Sequence, residues 1–422
     1  MALGTSLLST RQRTLHDTST HDASTGALRW PRTQFKSVVA KAETGGLDLV
    51  EHWAARWERL CEETGGLPFY RPEWIATYLR TFEPESQVVL LTASAGDRLV
   101  ALLPLVRKRA WFAGVPVWKL AGAANIHSTQ FDIVRTSCEA GEAAILAFWN
   151  LLKQIPGWNM LELPLLSRSG AGLKLIKQAS KDGCQTMRVR FSECPVLCME
   201  KDENGQPVWL HNTSRHFRHE LRRYARILAR ETGEEPKLVR RTNPDGEVLE
   251  QFYELEASGW KGRAGSAIKC SPQTEAFYNQ ISRVAATGGY FCLHSLEANN
   301  RMLAGAFSVE TQDCLYPLKI AFDESLRRGG PGQVMFHRIL EDCANRGITR
   351  LFFGGRNDAY KMKWTNETLP NFNGYVFSPS LRSKLAFRLR TLHPGIGRTG
   401  TQNKDAGIIS SAENEFAKET QR

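Results

Sequence analysis

Long apolar runs are absent from this chain of 422 residues. No window contains the ~20 consecutive apolar residues that a membrane-spanning helix requires. Residues 1–25 are rich in Ser, Thr and His and lack the apolar segment of a secretory signal. These absences argue against an integral membrane protein and against export, so we expect a cytoplasmic protein with a disordered N-terminal tail.

Cysteine is present, but without the spacing of a metal site or of a disulfide framework. The nine cysteines are spread along the chain, and none forms a Cys-x-x-Cys pair; the two closest are Cys194 and Cys198. An odd number of scattered cysteines excludes a regular disulfide framework and a structural zinc site. We therefore expect reduced, mostly buried thiols and no metal.

Acidic residues are fewer than basic residues. The chain contains 44 Asp and Glu and 55 Lys and Arg, which gives a net charge of +11. The content of 42% hydrophobic and 23% charged residues is that of a globular protein, and the length predicts about two domains. A basic surface attracts nucleic acid, anionic lipid, phosphorylated cofactors or acidic polysaccharide intermediates without choosing among them.

Two segments of the sequence follow the same hairpin pattern. In each, a β-prone apolar run leads to a polar turn and then to a second apolar run, at residues 88–105 and 290–309. Gly and Asp form the first turn, and Asn forms the second. Residues 97–101 align with residues 300–304 without a gap, which indicates an internal repeat.

The elements around both hairpins also occur in the same order. A helix that starts at Pro72 or Pro272 precedes each hairpin, and proline suits the first helical turn because its missing N–H has no partner there. A longer helix and a strand follow, at residues 140–163 and 333–353. This order predicts an α/β (α+β) protein of two tandem lobes, each with a mixed central sheet flanked by helices.

The pattern divides the chain into four parts. These are a disordered tail at residues 1–45, a first lobe at 46–195, a second lobe at 196–380 and a C-terminal segment at 381–422. The last segment begins as a basic amphipathic stretch, which favours peripheral association with the inner membrane, and continues as a polar, disordered tail. The apolar residues of that stretch are Leu381, Leu385, Leu389 and Leu392.

An arginine-rich helix is predicted at residues 214–232. Six arginines and two acids, Glu220 and Glu231, surround an apolar stripe at helical spacing. Three interpretations stay open: a solvated helix between the lobes, a site for a polyanion such as tRNA or cofactor phosphates, and a membrane-surface helix. The stripe consists of Phe217, Leu221, Tyr224 and Leu228.

A glycine-rich turn opens a helix in the second lobe. Gly330 and Gly332 follow Arg327 and Arg328, and the helix continues to Asn345. Because the first N–H groups of a helix have no internal partner, such a turn suits a phosphate, and glycine lets backbone and ligand approach closely. Many glycine-rich turns are plain connections, so the turn alone marks only a candidate site.

The order of strand, strand, basic glycine-rich loop, helix and strand resembles the acyl-CoA-binding motif of GNAT acetyltransferases. More closely, about residues 213–378 resemble the acetyltransferase domain of CelD-type cellulose-biosynthesis proteins, which are related to FemAB peptidyltransferases. The first half resembles the degenerate first lobe of the same proteins, through Pro68-Phe69 and Pro72-Glu73-Trp74. In the second half the matching segments are Trp260-Lys261-Gly262, Gly265-Ser266, Leu303-Ala304-Gly305, Lys319-Ile320-Ala321-Phe322-Asp323, Gly330-Pro331-Gly332-Gln333, Gly354-Gly355 and Tyr360-Lys361-Met362-Lys363-Trp364.

The resemblance implies that the pantetheine arm of an acyl donor lies between two diverging strands, which end near Phe322 and Phe353. Pro331 departs from the family's loop because it removes an N–H, so the donor stays open between acyl-CoA (acetyl-CoA), an acyl carrier protein and, as in the FemAB relatives, aminoacyl-tRNA. The implied cofactor-binding residues are Arg327, Arg328, Gly329, Gly330, Gly332 and Gln333.

The implied chemistry is direct attack of an amine or hydroxyl on a thioester. It requires a base, a proton donor for the thiolate and an N–H near the carbonyl oxygen. Asp323 is a candidate base or acceptor-orienting group, or a cap for the following turn. Tyr360 with Lys361 is a candidate proton donor, or a packed tyrosine beside a solvated lysine.

Three further residues are candidates for the acceptor side. Trp260 and Lys261 belong to a segment that the resemblance places near the acceptor, although a tryptophan is more often core. Lys319 is costly to bury unpaired, so we expect it to contact an anionic substrate or to point to solvent.

The leading hypothesis is acyl transfer to a sugar or to an envelope or exopolysaccharide precursor, in contact with polysaccharide-synthesis machinery. The alternatives are FemAB-like aminoacyl transfer from tRNA and a non-catalytic protein that binds a polyanion or a membrane on a GNAT scaffold.

Overall fold

The computed structural model describes residues 38–200, 202–203 and 207–392. Most of the predicted N-terminal tail and the polar C-terminal tail lie outside this range. The predicted end of the N-terminal tail at residue 45 is wrong, because Val39–Gly45 form the first strand and pair with the strand Gln87–Ala95. This strand belongs to the sheet of the first lobe.

The first lobe contains seven strands and four helices in the predicted order. The two segments expected to form the first hairpin do so, and the predicted helix at Pro72 extends over Pro72–Phe82. The strands are β1 Val39–Gly45, β2 Gln87–Ala95, β3 Arg98–Phe112, β4 Val115–Gly122, β5 Val134–Arg135, β6 Met160–Leu166 and β7 Gln185–Cys198. The helices are α1 Leu47–Glu63, α2 Pro72–Phe82, α3 Glu139–Gln154 and α4 Ala171–Lys181.

The second lobe repeats this order. Its second hairpin and the arginine-rich helix form as predicted, and the basic amphipathic stretch forms a helix at the end of the described chain. The strands are β8 Lys237–Arg241, β9 Phe291–Ala298, β10 Arg301–Glu310, β11 Cys314–Phe322, β12 Arg350–Phe352 and β13 Thr368–Phe377. The helices are α5 Val208–Asn212, α6 Arg215–Thr232, α7 Gly246–Ser258, α8 Trp260–Arg263, α9 Pro272–Thr287, α10 Pro331–Asn345 and α11 Leu381–Leu392.

All strands of the described residues join in one 13-stranded mixed sheet, in the order β1-β2-β3-β4-β6-β13-β7-β12-β11-β10-β9-β8, with β5 beside β3. Read inward from the two edges, β1-β2-β3-β4-β6 corresponds to β8-β9-β10-β11-β12. The last pair in each series is parallel and the others are antiparallel. The structure therefore confirms two lobes of one fold.

The lobes are interlocked at the centre of the sheet. Strand β13 of the second lobe lies between β6 and β7, and β7 of the first lobe lies between β13 and β12. The predicted boundary at residue 195 therefore falls within a strand that pairs with the second lobe, through Leu197 and Leu351 among others. Each lobe completes the sheet of the other.

Helices cover both faces of the sheet because successive buried residues point to opposite sides. In β2, Val88 and Leu90 belong to one core cluster and Val89 and Leu91 to another. The first cluster is continuous across the lobes under α1, α2, α7 and α9. There Trp74 of α2 meets Phe277 of α9, with 5.6 Å between ring centroids. Among the described residues, no helix is long and apolar enough to cross a membrane.

All nine cysteines lie in the described residues and are free thiols, as expected. Five of them are buried. Burial raises the pKa of Cys314 and of Cys343 to about 12, so these thiols are protonated near neutral pH.

Candidate functional site

Strands β11 and β12 separate after a short parallel contact. They pair only where Cys314 meets Arg350 and Leu315 meets Leu351. Strand β12 ends one residue later, and the N–H of Phe353 donates to Pro195 O of β7. Strand β11 runs on to Phe322, so this part of β11 has no ladder partner on the side of β12. The ladder between the strands thus ends where the resemblance expects them to diverge, and we call this gap in the ladder the opening.

A bulge interrupts β11 at the start of this free segment. Lys319 pairs with Phe307 of β10, whereas the next pair is Pro317 with Ser308, so the register skips Leu318. Bulges re-aim the backbone and are over-represented next to active sites. The backbone of Leu318 is therefore placed outside both neighbouring ladders, at the edge of the opening.

The first lobe has a closed counterpart of this opening. Strand β4 pairs with β6 through Lys119, Leu120 and Ala121, one residue before β4 ends at Gly122. The Lys119 ammonium also donates to Glu162 of β6 at 2.5 Å. Because β4 does not run on beyond the pairing, the described first lobe offers no similar gap, in agreement with a degenerate lobe.

The glycine-rich turn packs against the arginine-rich helix. A Cβ on Gly329 would lie 2.6 Å from Leu228 of α6, and a Cβ on Gly330 would lie 2.9 Å from the Tyr224 ring. Gly330 also has a φ of +51°, which favours glycine. Its lack of a side chain therefore serves packing on α6 rather than ligand approach, which corrects the reason inferred from sequence.

Gly332 is the glycine of this turn with space around it. The nearest atom to a Cβ at Gly332 would be in Phe322, at an ordinary contact distance of 3.7 Å. Gly332 thus lies where the first turn of α10 meets the free end of β11. Arg327 and Arg328 are exposed in the 3₁₀ turn that precedes α10.

Gln333 connects α10 to the loop after β12. Its Oε1 accepts a hydrogen bond from the indole N–H of Trp364 at 2.8 Å. Trp364 is buried and packs edge-on against Phe217 of α6, with 4.9 Å between ring centroids. The polar end of Gln333 is therefore held by Trp364, and its place in a phosphate site stays a prediction.

Asp323 caps the 3₁₀ turn, as its second interpretation predicted. Its Oδ1 accepts from the backbone N–H of Ser325 at 2.9 Å and from the Ser325 hydroxyl at 2.6 Å, and its Oδ2 pairs with Arg301. The carboxylate is 8% exposed. These bonds favour a structural role for Asp323 over that of a general base.

Lys361 holds the loop that follows β12. Its ammonium donates to Gly354 O at 3.1 Å and to Arg356 O at 3.0 Å, and it pairs with Asp358 at 2.7 Å. The lysine is buried, so it is not the solvated side chain of the alternative interpretation. Tyr360 is half-buried beside it, with its ring centroid 5.5 Å from the ammonium.

The three predicted acceptor-side residues meet along the free part of β11. Lys261 donates to Ile320 O at 2.7 Å, and Lys319 donates to Ser266 O at 3.4 Å. The backbone N–H of Trp260 donates to Glu324 at 2.7 Å, which ties α8 to the 3₁₀ turn. The structure thus brings Trp260, Lys261 and Lys319 together beside the opening.

A buried carboxylate that sequence reasoning missed joins the two lysines. Glu256 of α7 accepts from Lys261 at 3.0 Å and from the N–H of Ile268 at 2.8 Å, and lies 4.0 Å from Lys319. Burial acts to raise the pKa of Glu256, but the two lysines outweigh it and the pKa falls below its ordinary value. The helical spacing of the apolar residues of α7 places Glu256 on the side that faces the core, and this spacing is the sequence signal that could have identified it as a buried carboxylate.

His127 is a second residue that sequence reasoning missed. It lies in the first lobe, stacks on Phe82 with 5.4 Å between centroids, and has its Nδ1 3.3 Å from the hydroxyl of Tyr278 in α9. Burial, and then the charge of Lys319, lower the pKa of His127 to about 3. This uncharged imidazole therefore lies at the interface of the lobes.

A basic groove of about 250 Å³ runs between α6 and α10. Arg218, Arg222 and Arg338 border it, and His337 lies in its wall. Burial lowers the pKa of His337, whose ring faces Trp209 edge-on at 5.8 Å between centroids. Arg338 pairs with Glu235 at 2.8 Å. The groove leaves the polyanion interpretation of α6 open.

Residues 215–362 match the family described as "Acetyltransferase (GNAT) domain". This segment contains the opening, the glycine-rich turn and all twelve candidate site residues named from the sequence. A comparison with curated proteins finds no significant match.

Solved structures are similar to this chain at low sequence identity. FemX is 11% identical over 83% of this chain and 99% of its own, with a TM-score of 0.52. The C-terminal domain of a protein described as a lysylphosphatidylglycerol synthetase, from Agrobacterium fabrum, is 12% identical over 82% and 97%, with a TM-score of 0.47. A tandem GNAT protein from the clavulanic acid biosynthesis pathway is 13% identical over 81% and 100%, with a TM-score of 0.41.

The match to the GNAT family covers the lobe with the open strand pair, and the similarity to FemX supports the two-lobed fold over most of the chain. The second lobe thus contains the segment that matches the GNAT acetyltransferase domain, and the protein is an acyltransferase with two lobes of one fold.

Proposed function

We propose that the second lobe transfers an acyl group from a phosphopantetheine thioester, carried by CoA or by an acyl carrier protein, to an amine or hydroxyl. The observation that carries this proposal is the separation of β11 from β12 beside the start of α10. The free edge of β11 offers peptide groups to the amides of the pantetheine arm. The first turn of α10, with Gly332 open to it and Arg327 and Arg328 nearby, offers N–H groups and charge to the phosphates.

The bulge supplies the N–H that the chemistry requires near the thioester. In the proposed complex the backbone of Leu318 faces the carbonyl carbon under attack, where a preorganised donor stabilises the developing oxyanion. The attacking group displaces the thiolate, which takes a proton. Tyr360 is the proposed donor of that proton, and Lys361 positions it by holding the loop.

The acceptor is proposed to enter from the side of Trp260, Lys261 and Lys319. Its class, a sugar or an envelope or exopolysaccharide precursor, rests on the resemblance of residues 213–378 to CelD-type proteins. Glu256 neutralises much of the charge of the two lysines. We therefore assign Lys261 and Lys319 to positioning β11 and the indole of Trp260 to contact with the acceptor.

A thermal-shift experiment with acetyl-CoA tests the proposal. A ligand that binds only the native state at 100 times its Kd stabilises that state by ~2.7 kcal/mol, so the melting temperature is expected to rise. Gly332→Leu is expected to abolish the rise because its side chain fills the space at the start of α10. The variant is expected to fold, since a Cβ there meets Phe322 only at 3.7 Å.

Gly246→Leu is the matched control for that experiment. Gly246 also lies in the first turn of a helix, α7, and a Cβ there has no atom within 4 Å. This variant is expected to keep the full shift. An equal rise in melting temperature in the wild type and in Gly332→Leu would contradict the proposed site. An acyl carrier protein that carries an acyl group is tested in the same way.

A second candidate is aminoacyl transfer from tRNA, which the exposed arginines of α6 favour. Arg222, Arg223, Arg226 and Arg230 are exposed on the helix whose other side packs on the glycine-rich turn. This alternative predicts RNA binding that weakens steeply with salt. RNA binding of this kind, without a shift by any acyl-CoA, would favour it over the first proposal.

A further inference from the structure

Exposed leucines are concentrated on α11, which packs on strands β4 and β13. Among large apolar residues in the described chain, the three most exposed are Leu381 at 85%, Trp111 at 71% and Leu392 at 71%. Leu385, 50% exposed, lies between the two leucines. We call the outward side of α11, formed by Leu381, Leu385 and Leu392, the leucine surface. Contiguous exposed apolar surface of this kind marks an interaction site.

Helix α11 is held so that its leucines point outward. On the opposite side, Ser383 is buried and its hydroxyl donates to Asn159 O at 2.8 Å, and Ala386 packs on Val115 and Val117 of β4. Phe387 meets Phe377 of β13 with 5.2 Å between ring centroids. Since Leu381, Leu385 and Leu392 recur at helical spacing, they form one stripe on the solvent side.

The tip of the β3–β4 hairpin carries a separate exposed apolar residue, Trp111. Trp111 lies next to the turn formed by Ala113 and Gly114, whose φ values are +49° and +80°. A groove of about 470 Å³ runs from Trp111 past Trp118 to Arg382 of α11. Ala110 and Phe112 pack towards α11, so Trp111, which lies between them in the strand, points to the other face of the sheet and is not part of the leucine stripe.

Cations flank the apolar stripe, and neither α11 nor the β3–β4 hairpin contains an acid. The sequence contains no Asp or Glu from residue 98 to residue 122 or from residue 368 to residue 404. Arg382, Lys384 and Arg388 are exposed beside the leucines of α11. The surface is thus complementary to an anionic partner that also accepts leucine side chains.

We propose that the leucine surface binds peripherally to an anionic phospholipid bilayer, with α11 in the plane of the interface. Protruding leucines between cations are the features of an interfacial helix. Each cation near the surface adds attraction to anionic lipid. A nucleic acid matches the cations but offers no apolar medium for the leucines. The proposal is independent of the acyl-transfer site, which lies between β11 and β12, whereas α11 packs on β4 and β13.

Co-sedimentation of the full chain with vesicles tests the proposal. The protein is expected to bind phosphatidylglycerol–phosphatidylcholine vesicles, to bind pure phosphatidylcholine vesicles much less, and to be released by salt. Leu385→Glu is expected to reduce the partition coefficient by about tenfold or more, because one leucine leaves the apolar phase and an acid enters an anionic surface. Because Leu385 is exposed, the variant is expected to fold.

Leu146→Glu is the matched control. Leu146 lies on α3 away from this surface and is 49% exposed, so the substitution adds the same charge at the same exposure. This variant is expected to bind vesicles like the wild type. An equal loss of vesicle binding in Leu385→Glu and Leu146→Glu would overturn the proposal. Equal binding of the wild type to neutral and anionic vesicles would also overturn it. So would a dimer in solution that Leu385→Glu dissociates, in the absence of vesicle binding, because it would identify the surface as an interface between copies.

Discussion

Glu256 organises the polar groups along the free part of β11. Its carboxylate receives Lys261 and the Ile268 N–H, and Lys261 in turn donates to Ile320 O of β11. A buried charge is tolerated only when it is paired and hydrogen-bonded in this way. The residues that sequence analysis assigned to the acceptor side thus form a fixed wall of the opening.

His127 gives the protein a pH-dependent stability. In the folded chain burial and Lys319 lower its pKa to about 3, from an ordinary value of 6.5. The unfolded chain therefore binds a proton between these values that the folded chain does not. The neutral imidazole makes its full contribution to the free energy of unfolding above pH ~6.5. As the pH falls below this value, that contribution decreases by ~1.4 kcal/mol per pH unit until the pKa of the folded state is reached.

The prediction is that His127→Gln has a flatter pH profile of the free energy of unfolding. From pH 7 to pH 5 the wild type is expected to lose about 2 kcal/mol more than the variant, as measured by urea unfolding. Glutamine keeps a polar group near Tyr278. Substitution of the exposed His52 by glutamine serves as the control, and parallel profiles for wild type and His127→Gln would refute the assignment.

At the scale of elements, the contact between α6 and the glycine-rich turn explains why that turn contains two consecutive glycines. Leu228 and Tyr224 occupy the positions that side chains at Gly329 and Gly330 would fill. The apolar stripe of α6 therefore determines the conformation of the loop before α10. This contact also connects the arginines of α6 to the proposed phosphate site.

We predict that Gly330→Ala destabilises the protein for two separable reasons. The left-handed backbone disfavours alanine by ~1–2 kcal/mol, and the clash with Tyr224 adds ~1–3 kcal/mol. In a Tyr224→Ala background only the first cost is expected to remain. A double-mutant cycle by chemical unfolding measures the difference, and additive effects of the two substitutions would show that the ring does not restrict this glycine.

At the scale of the whole molecule, the crossed strands β7 and β13 make the lobes one folding unit. Each of these strands pairs with the other and with a strand of the opposite lobe. The core under α2 and α9 is also shared, through Trp74 and Phe277. Neither lobe can unfold without removing strands and core contacts from its partner.

The prediction is a shared loss of stability after a substitution in one lobe. Phe148→Ala, in the core of the first lobe on α3, is expected to cost ~3–5 kcal/mol. Native-state hydrogen exchange is expected to show the same decrease in the free energy of opening at the amide of Ala306, in β10 of the second lobe. Faster exchange confined to the first lobe would show that the lobes unfold separately.

The repeat and most elements were predictable because their signals are local. Pro72 and Pro272 mark helix starts, and the polar turns near Asp97 and Asn300 lie between apolar runs. Strand β11 forms over the residues expected for it. The first strand, Val39–Gly45, was missed because its burial is partial and its residues lack a strong β pattern.

The candidate site was predictable only as a set of segments. The sequence by itself determined the order of elements, the basic glycine-rich turn and the leucine stripe of α11, since these depend on spacing along one stretch of chain. Only the tertiary structure decided that β11 leaves β12, that Tyr224 fills the space at Gly330 and that Glu256 meets Lys319. Those facts depend on pairings between residues far apart in sequence, where packing and charge burial choose among arrangements that local spacing allows equally.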